Sequence, residues 1–177
     1  FYKHIPTWRH FIVIDKIMIA SHPDDEALFG GAELLSHPDE YKVVVLDEYQ
    51  NDIRRREFLD SMRFIGIHEY EHWTGYKGKE DYFREKLIYE LLRVLRERDY
   101  KKIVTHGENG EYGHPRHRAC HDVLAHLRPE KLWCFSRGKK LDDEMIEKKR
   151  ELLKVYKSQD GVLDWFNWEN ETIRKFK

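Results

Sequence analysis

The sequence predicts an α/β fold, Rossmann-like and three-layered, with a mainly parallel sheet flanked by helices. Three observations carry that expectation. Short, β-branched apolar runs alternate with longer stretches of helical periodicity through most of the chain. The first apolar run ends directly before a Pro-Asp turn that opens a helix. No boundary, repeat or low-complexity linker interrupts the alternation, so residues 1–177 read as one domain. Strand–helix–strand units of this kind close right-handed and cover both faces of a parallel sheet.

The elements follow in order. Residues 16–20 (KIMIA) form a short apolar run of strand length, and 26–35 carry apolar residues at helical spacing. Residues 42–46 (KVVVL) are β-branched and read as a second strand. A helix follows over 52–65, with Asp52 as its cap, Phe58, Leu59, Met62 and Ile65 on one face, and Gly66 as its stop. Residues 69–73 make a short third strand. The helix at 81–98 is capped by Asp81 and lines up Phe83, Leu87, Ile88, Leu91, Leu92 and Leu95. Strands at 102–106 and 131–135 bracket a helix at 115–128 that has Pro115 in its first turn. A last helix covers 142–157. The aromatic tail, 158–177, gives no clear period.

Composition narrows the function classes. Of the 177 residues, 40% are hydrophobic, enough for a core, and 37% are charged, which implies a well-solvated surface. The net charge of −1 removes the electrostatic footprint of a nucleic-acid binder. No apolar run is long enough to span a membrane. No signal peptide is visible, and a cytoplasmic location is expected, although the chain begins at Phe1 rather than Met. Cys120 and Cys134 are too few for a disulfide framework and read as buried thiols. The 11 histidines exceed what packing needs, so their positions matter.

Two of those positions stand out. Ser21-His22-Pro23-Asp24-Asp25-Glu26 follows the first strand and opens a helix. Gly110-Glu111-Tyr112-Gly113-His114-Pro115-Arg116-His117 follows the fourth strand and does the same. Both loops therefore sit at the carboxyl edge of the sheet, where open α/β folds bind ligands, and strands one and four flank the switch point in the commonest order. Imidazole and carboxylate are both good zinc ligands. His22, one Asp and one His from the second loop would give three protein ligands and leave a position for water, the pattern of a catalytic zinc. Consecutive side chains in a turn diverge, so Asp24 and Asp25 should do different work.

Several look-alikes fail on the same reasoning. Ser36-His37-Pro38-Asp39-Glu40 resembles the first loop but lacks the second Asp and precedes a strand, so it reads as a connecting turn. His117 and His121 have the spacing of a helical metalloprotease motif, but Arg118 stands where that motif needs Glu. His121 is expected beside the site or exposed. Gly30-Gly31 is not a dinucleotide fingerprint, and a nicotinamide cofactor is not expected. Arg54, Arg55 and Arg56 read as a solvated face from which one arginine could reach a sugar hydroxyl or phosphate.

With these residues in place, the chain resembles the LmbE-like or PIG-L family of zinc-dependent N-deacetylases. Residues 17–26 (IMIASHPDDE) match the family's first motif and 113–117 (GHPRH) its second. Weaker matches are Arg54-x-x-Glu57 leading to Gly66, and Tyr156-x-Ser158-Gln159, so the resemblance spans about 16–160. It implies a Rossmann-like fold and removal of an acetyl group from an N-acetylated amino sugar by metal-activated water. It implies His22, Asp25 and His117 as ligands of zinc, or of ferrous iron, and Asp24 as general base. His114 would protonate the leaving amine or stabilise the oxyanion, Arg54 would hold substrate, and Tyr112 would swing onto the tetrahedral intermediate. Alternatives are an amidase for a larger sugar-thiol conjugate and a non-catalytic sugar binder. Family members are usually longer. The tail residues Trp165, Phe166 and Trp168 could form a sugar-stacking wall, a contact in a homo-oligomer, or core.

Overall fold

The computed structural model describes residues 13–177. Its strands are β1 Lys16–Ala20, β2 Tyr41–Leu46, β3 Glu69–Trp73, β4 Lys102–Thr105, β5 Leu132–Lys140 and β6 Asn170–Lys175. Its α-helices are α1 Asp25–Ser36, α2 Asp52–Ile65, α3 Glu80–Val94, α4 Gly110–Gly113, α5 Pro115–Leu127, α6 Asp143–Leu153 and α7 Asp160–Leu163. The sheet order is β3-β2-β1-β4-β5-β6, parallel except for the antiparallel β6. This is the expected three-layer α/β architecture, and β1 pairs directly with β4. The first loop and the second therefore leave the sheet side by side.

Burial explains why these segments became strands. Tyr41 to Leu46 are buried throughout, as suits a central parallel strand covered on both faces. One core layer joins Ile17, Ile19, Val44 and Leu46 to α3 and α5 through Phe83, Leu87, Leu91, Cys120 and Leu124. The other joins Met18, Val43 and Val45 to α1, α2 and α6 through Leu34, Phe58, Met62 and Leu152. Gly30 lets α1 approach the sheet: a Cβ there would meet the Met18 thioether and Phe135.

Element limits differ from the sequence reading in instructive places. Helix α2 is capped by Asn51, whose side chain accepts from the amides of Ile53 and Arg54, rather than by Asp52. Asp81, the expected cap of α3, has a side chain outside the described residues. Helix α3 buries Phe83, Leu87, Leu91 and Val94, while Ile88 lies at the exposed margin. It stops at Val94 rather than continuing to 98. Helix α6 ends at Leu153, and the 3₁₀ turn Lys157–Gln159 follows. The tail supplies β6. Its one buried residue is Glu171, so the strand has no apolar alternation to betray it. Pairing with β6 also carries β5 on to Lys140 through polar, mostly exposed residues. Among the described residues, no helix is long and apolar enough to cross a membrane.

Candidate metal centre

The first loop is built to separate its two aspartates. Asp24 occupies the N-cap position of α1 with φ 115° and ψ −32°, and its side chain makes no capping bond. A non-glycine residue at such φ is costly and persists only where its surroundings fix it. Here Glu26 accepts from the Asp24 amide at 3.1 Å. Arg54 Nη2 donates to Asp24 Oδ1 at 3.1 Å and to the Pro23 carbonyl at 2.6 Å. Asp25, by contrast, turns inward. Its Oδ2 accepts from the His22 amide at 2.9 Å and lies 3.0 Å from His22 Nδ1.

The second loop brings His117 to the same point. His117 Nε2 lies 3.2 Å from Asp25 Oδ2 and 3.3 Å from His22 Nδ1. Three ligand atoms from two loops thus converge with separations of 3.0, 3.2 and 3.3 Å. Ligand atoms about 2.0–2.1 Å from a tetrahedral zinc stand about 3.3–3.4 Å from one another, so the trio fits that ion. Two other groupings, His22–His114–His117 and Asp25–His106–His117, fall within 4.8 Å. They fit less well, because His106 Nε2 already accepts from the Ser21 amide and His114 Nδ1 from the Arg116 amide.

The electrostatics point the same way. Two imidazole lone pairs and a carboxylate oxygen repel unless positive charge lies among them. Burial opposes a charge on His117, yet the Asp25 and Glu111 carboxylates outweigh it and hold the imidazole up at about 10. A proton there does the work that a cation would do. Asp25 is likewise buried but held well below the usual carboxylate range by His117 and His22. Asp24 is pushed well above it by burial and by the Asp25 charge, with Arg54 pulling the other way. Glu26 rises to about 7 through burial, despite hydrogen bonds from Tyr156 and Ser61.

His114 stands beside the trio as the N-cap residue of α5, its ring 4.8 Å from that of His22 and 4.6 Å from that of His117. Burial and the neighbouring imidazoles lower its pKa to about 4, so it is neutral at pH 7. Since Nδ1 accepts from Arg116, the neutral ring carries its proton on Nε2. Tyr112 is half exposed, its ring 5.2 Å from His117 and 5.2 Å from Trp165.

The family model for GlcNAc-PI de-N-acetylase, PIG-L, matches residues 17–127, which include both loops. The chain belongs to the PIG-L (LmbE-like) family. An uncharacterized protein of Acanthamoeba polyphaga mimivirus is 30% identical over 170 residues, covering 84% of this chain and 73% of that one. The 1D-myo-inositol 2-acetamido-2-deoxy-alpha-D-glucopyranoside deacetylase of Corynebacterium urealyticum is 24% identical over 151 residues, 60% of this chain and 45% of that protein. Among solved structures, the N,N'-diacetylchitobiose deacetylase of Pyrococcus horikoshii is similar with a TM-score of 0.66 at 16% identity, covering 91% of this chain and 84% of that one. An antimicrobial pseudoaglycone deacetylase has the same TM-score, 0.66, at 17% identity over 93% of this chain and 98% of that chain. The two solved structures establish that the PIG-L fold is shared.

All seven residues singled out in the PIG-L motifs and their neighbours meet in this one region. Arg54, read as a substrate holder, has Asp24 as its side-chain partner in this structure. Two residues went unweighed in the sequence. Both His106 and Glu111 are buried behind His117, where Glu111 Oε2 lies 2.7 Å from each Nδ1. Their signal was position: one ends β4 and the other stands inside the second loop. His121 packs beside them, with Nδ1 3.0 Å from the His106 carbonyl. The aromatic tail divides. Phe166 is buried and Trp168 packs against the core, while Trp165 is 57% exposed. A cavity of about 510 Å³ opens beyond Phe29 and Glu111 toward Arg137 and Arg174 rather than at the trio itself. The trio rather than the cavity marks the chemistry, because its three atoms converge within 3.0–3.3 Å.

Proposed function

We propose that the chain is a zinc-dependent N-deacetylase that removes the acetyl group from an N-acetylated amino sugar. The observation that carries this reading is the convergence of His22 Nδ1, Asp25 Oδ2 and His117 Nε2 within 3.0–3.3 Å, with a further carboxylate and a neutral imidazole beside them. His22, Asp25 and His117 would hold the ion, and ferrous iron shares such ligands. Zinc bound there supplies a Lewis acid that makes water nucleophilic near neutral pH and polarises the acetyl carbonyl.

The chain's own residues divide the remaining work. Asp24 is the base that takes a proton from the attacking water. Its carboxylate is aimed by Arg54 and by the fixed backbone of its turn. A carboxylate with a raised pKa also holds that proton well enough to pass it to the departing nitrogen, which cannot leave as an amide anion. His114, neutral and carrying its proton on Nε2, donates a hydrogen bond to the oxygen that gains charge. Of the two roles the family resemblance allowed it, its protonation favours this one. Tyr112, 5.2 Å from His117, and Trp165, 5.2 Å from Tyr112, would offer aromatic surface to a pyranose.

The substrate class rests on relatives. The names of the Corynebacterium and Pyrococcus deacetylases both specify N-acetylated amino sugars. The test is acetate release from a panel of N-acetylglucosamine glycosides, phosphosugars and larger conjugates, with zinc present and after chelation. Zinc-dependent release supports the reading, and the preferred member names the substrate. No release from any member by protein shown to carry zinc contradicts it.

A further inference from the structure

We infer that Glu111 is the positioning residue of this centre, fixing the tautomer of His117 so that Nε2 alone faces His22 and Asp25. The inference rests on the metal reading above. Its first support is the bonding pattern. The Glu111 carboxylate is 5% exposed, and its Oε2 lies 2.7 Å from both His117 Nδ1 and His106 Nδ1. Its Oε1 accepts from the Gly107 amide at 2.8 Å. An ionised carboxylate only accepts, so both Nδ1 atoms carry the protons. With a cation in place of the second proton, His117 Nε2 presents its lone pair at the point where the other two ligand atoms converge.

His106 makes the arrangement self-consistent. Its Nε2 accepts from the Ser21 amide at 2.9 Å, so a backbone donor independently fixes its own proton on Nδ1. Its ring stacks on that of His117 at 3.8 Å and 22°. Glu111 is thus held by Gly107 and His106, and His117 is oriented by Glu111. Ser21 belongs to the loop that supplies His22 and Asp25, so the same chain of bonds ties the two loops together.

The backbone gives a second, separate support. Glu111 has φ 56° and ψ −58°, a conformation that a residue with a Cβ rarely adopts. Glycines stand at 110 and 113, and glycine would take this conformation more readily. A glutamate kept here despite that strain is explained by what its carboxylate holds. Carboxylates that orient a ligating imidazole commonly alter metal affinity by about 10–100-fold.

The experiment is zinc affinity by chelator competition, with the visible spectrum of the cobalt-loaded protein as a second readout. It compares the wild-type chain with Glu111→Gln and Glu111→Asp, each first checked for folding by circular dichroism. The amide of Gln opposes one donor with another, and Asp withdraws both oxygens by one methylene. The expected result is zinc affinity weakened by about 10–100-fold in whichever variant folds, with a changed cobalt spectrum. A folded variant that binds zinc within about twofold of wild type, with the same cobalt spectrum, overturns this inference and leaves the metal reading intact. A wild-type chain that takes up no zinc overturns both.

Discussion

His117 Nε2 lies 3.3 Å from His22 Nδ1, two imidazole nitrogens brought together across 95 positions of sequence. Parallel pairing of β1 with β4 makes that meeting possible, because both loops leave the sheet at the same edge. Asp25 joins them, and Asp24 one position earlier does not. Its carboxylate is turned to Arg54.

The proposed ligand and the proposed base should therefore be separable by mutation. Asp24→Asn should lower kcat by roughly 10²–10⁴-fold while zinc content stays near one per chain. His117→Ala should instead weaken zinc binding, and activity should fall with occupancy. Metal analysis of each purified variant beside its acetate-release rate checks both. Near-normal turnover by Asp24→Asn would remove Asp24 as the base.

Trp165 offers a test of substrate contact apart from chemistry. It is 57% exposed, its ring 5.2 Å from that of Tyr112, which itself lies 5.2 Å from the His117 ring. Trp165→Ala should raise KM by roughly 5–30-fold, the effect of losing about 1–2 kcal/mol of contact, with kcat little changed. Steady-state kinetics on the preferred panel member decide it; an unchanged KM places the sugar elsewhere.

A buried ion pair ties the helix that carries the first loop to the far edge of the sheet. Lys149 Nζ donates to the Leu28 carbonyl and Trp168 carbonyl at 2.9 Å each and to Glu171 at 2.7 Å. Glu171 in turn accepts from the amides of Ala32 and Glu33. Lys149→Met would strand a buried carboxylate and should cost about 3–5 kcal/mol in urea unfolding. The double variant Lys149→Met with Glu171→Gln should recover part of that. Equal stability of Lys149→Met and wild type would show the pair to be dispensable.

Acid should release one surface network in a defined window. Burial tends to raise Glu71, but hydrogen bonds from Arg93, Lys42 and Trp73 prevail and lower it from 4.5 to about 2. A depressed carboxylate stabilises the fold above its unfolded value and loses that contribution as pH falls through its folded value. The urea midpoints of wild type and Glu71→Gln should differ at pH 7 and converge between about pH 4.5 and 2. Since Glu71 is partly exposed, the difference should be modest and should shrink in salt. A gap that stays constant down to pH 2 would contradict the assignment.

The sequence disclosed the parts of this protein that local chemistry dictates. Val43 to Leu46 are a continuous apolar run because both faces of the strand are covered, and the two loops are legible because each strand ends in its motif. Strand β6 was hidden because an edge strand with Glu171 as its buried residue obeys no apolar alternation. The partnership of Glu111 with His106 and His117 was hidden for another reason. Which loop carboxylate turns inward depends on the φ of Glu111 and on Ser21 lying across the β1–β4 pair, and neither is a property of spacing. The inward and outward division of Asp25 and Asp24 was foreseeable, but the engagement of Arg54 with Asp24 was not, since it needs α2 folded back over the first loop.

Zinc dependence is tested most directly by a zinc titration of chelated protein while acetate release is followed on the preferred substrate. No release is expected without metal, followed by a linear rise and saturation at one zinc per chain. Full release by the metal-free protein, or a rate indifferent to added zinc, would contradict it.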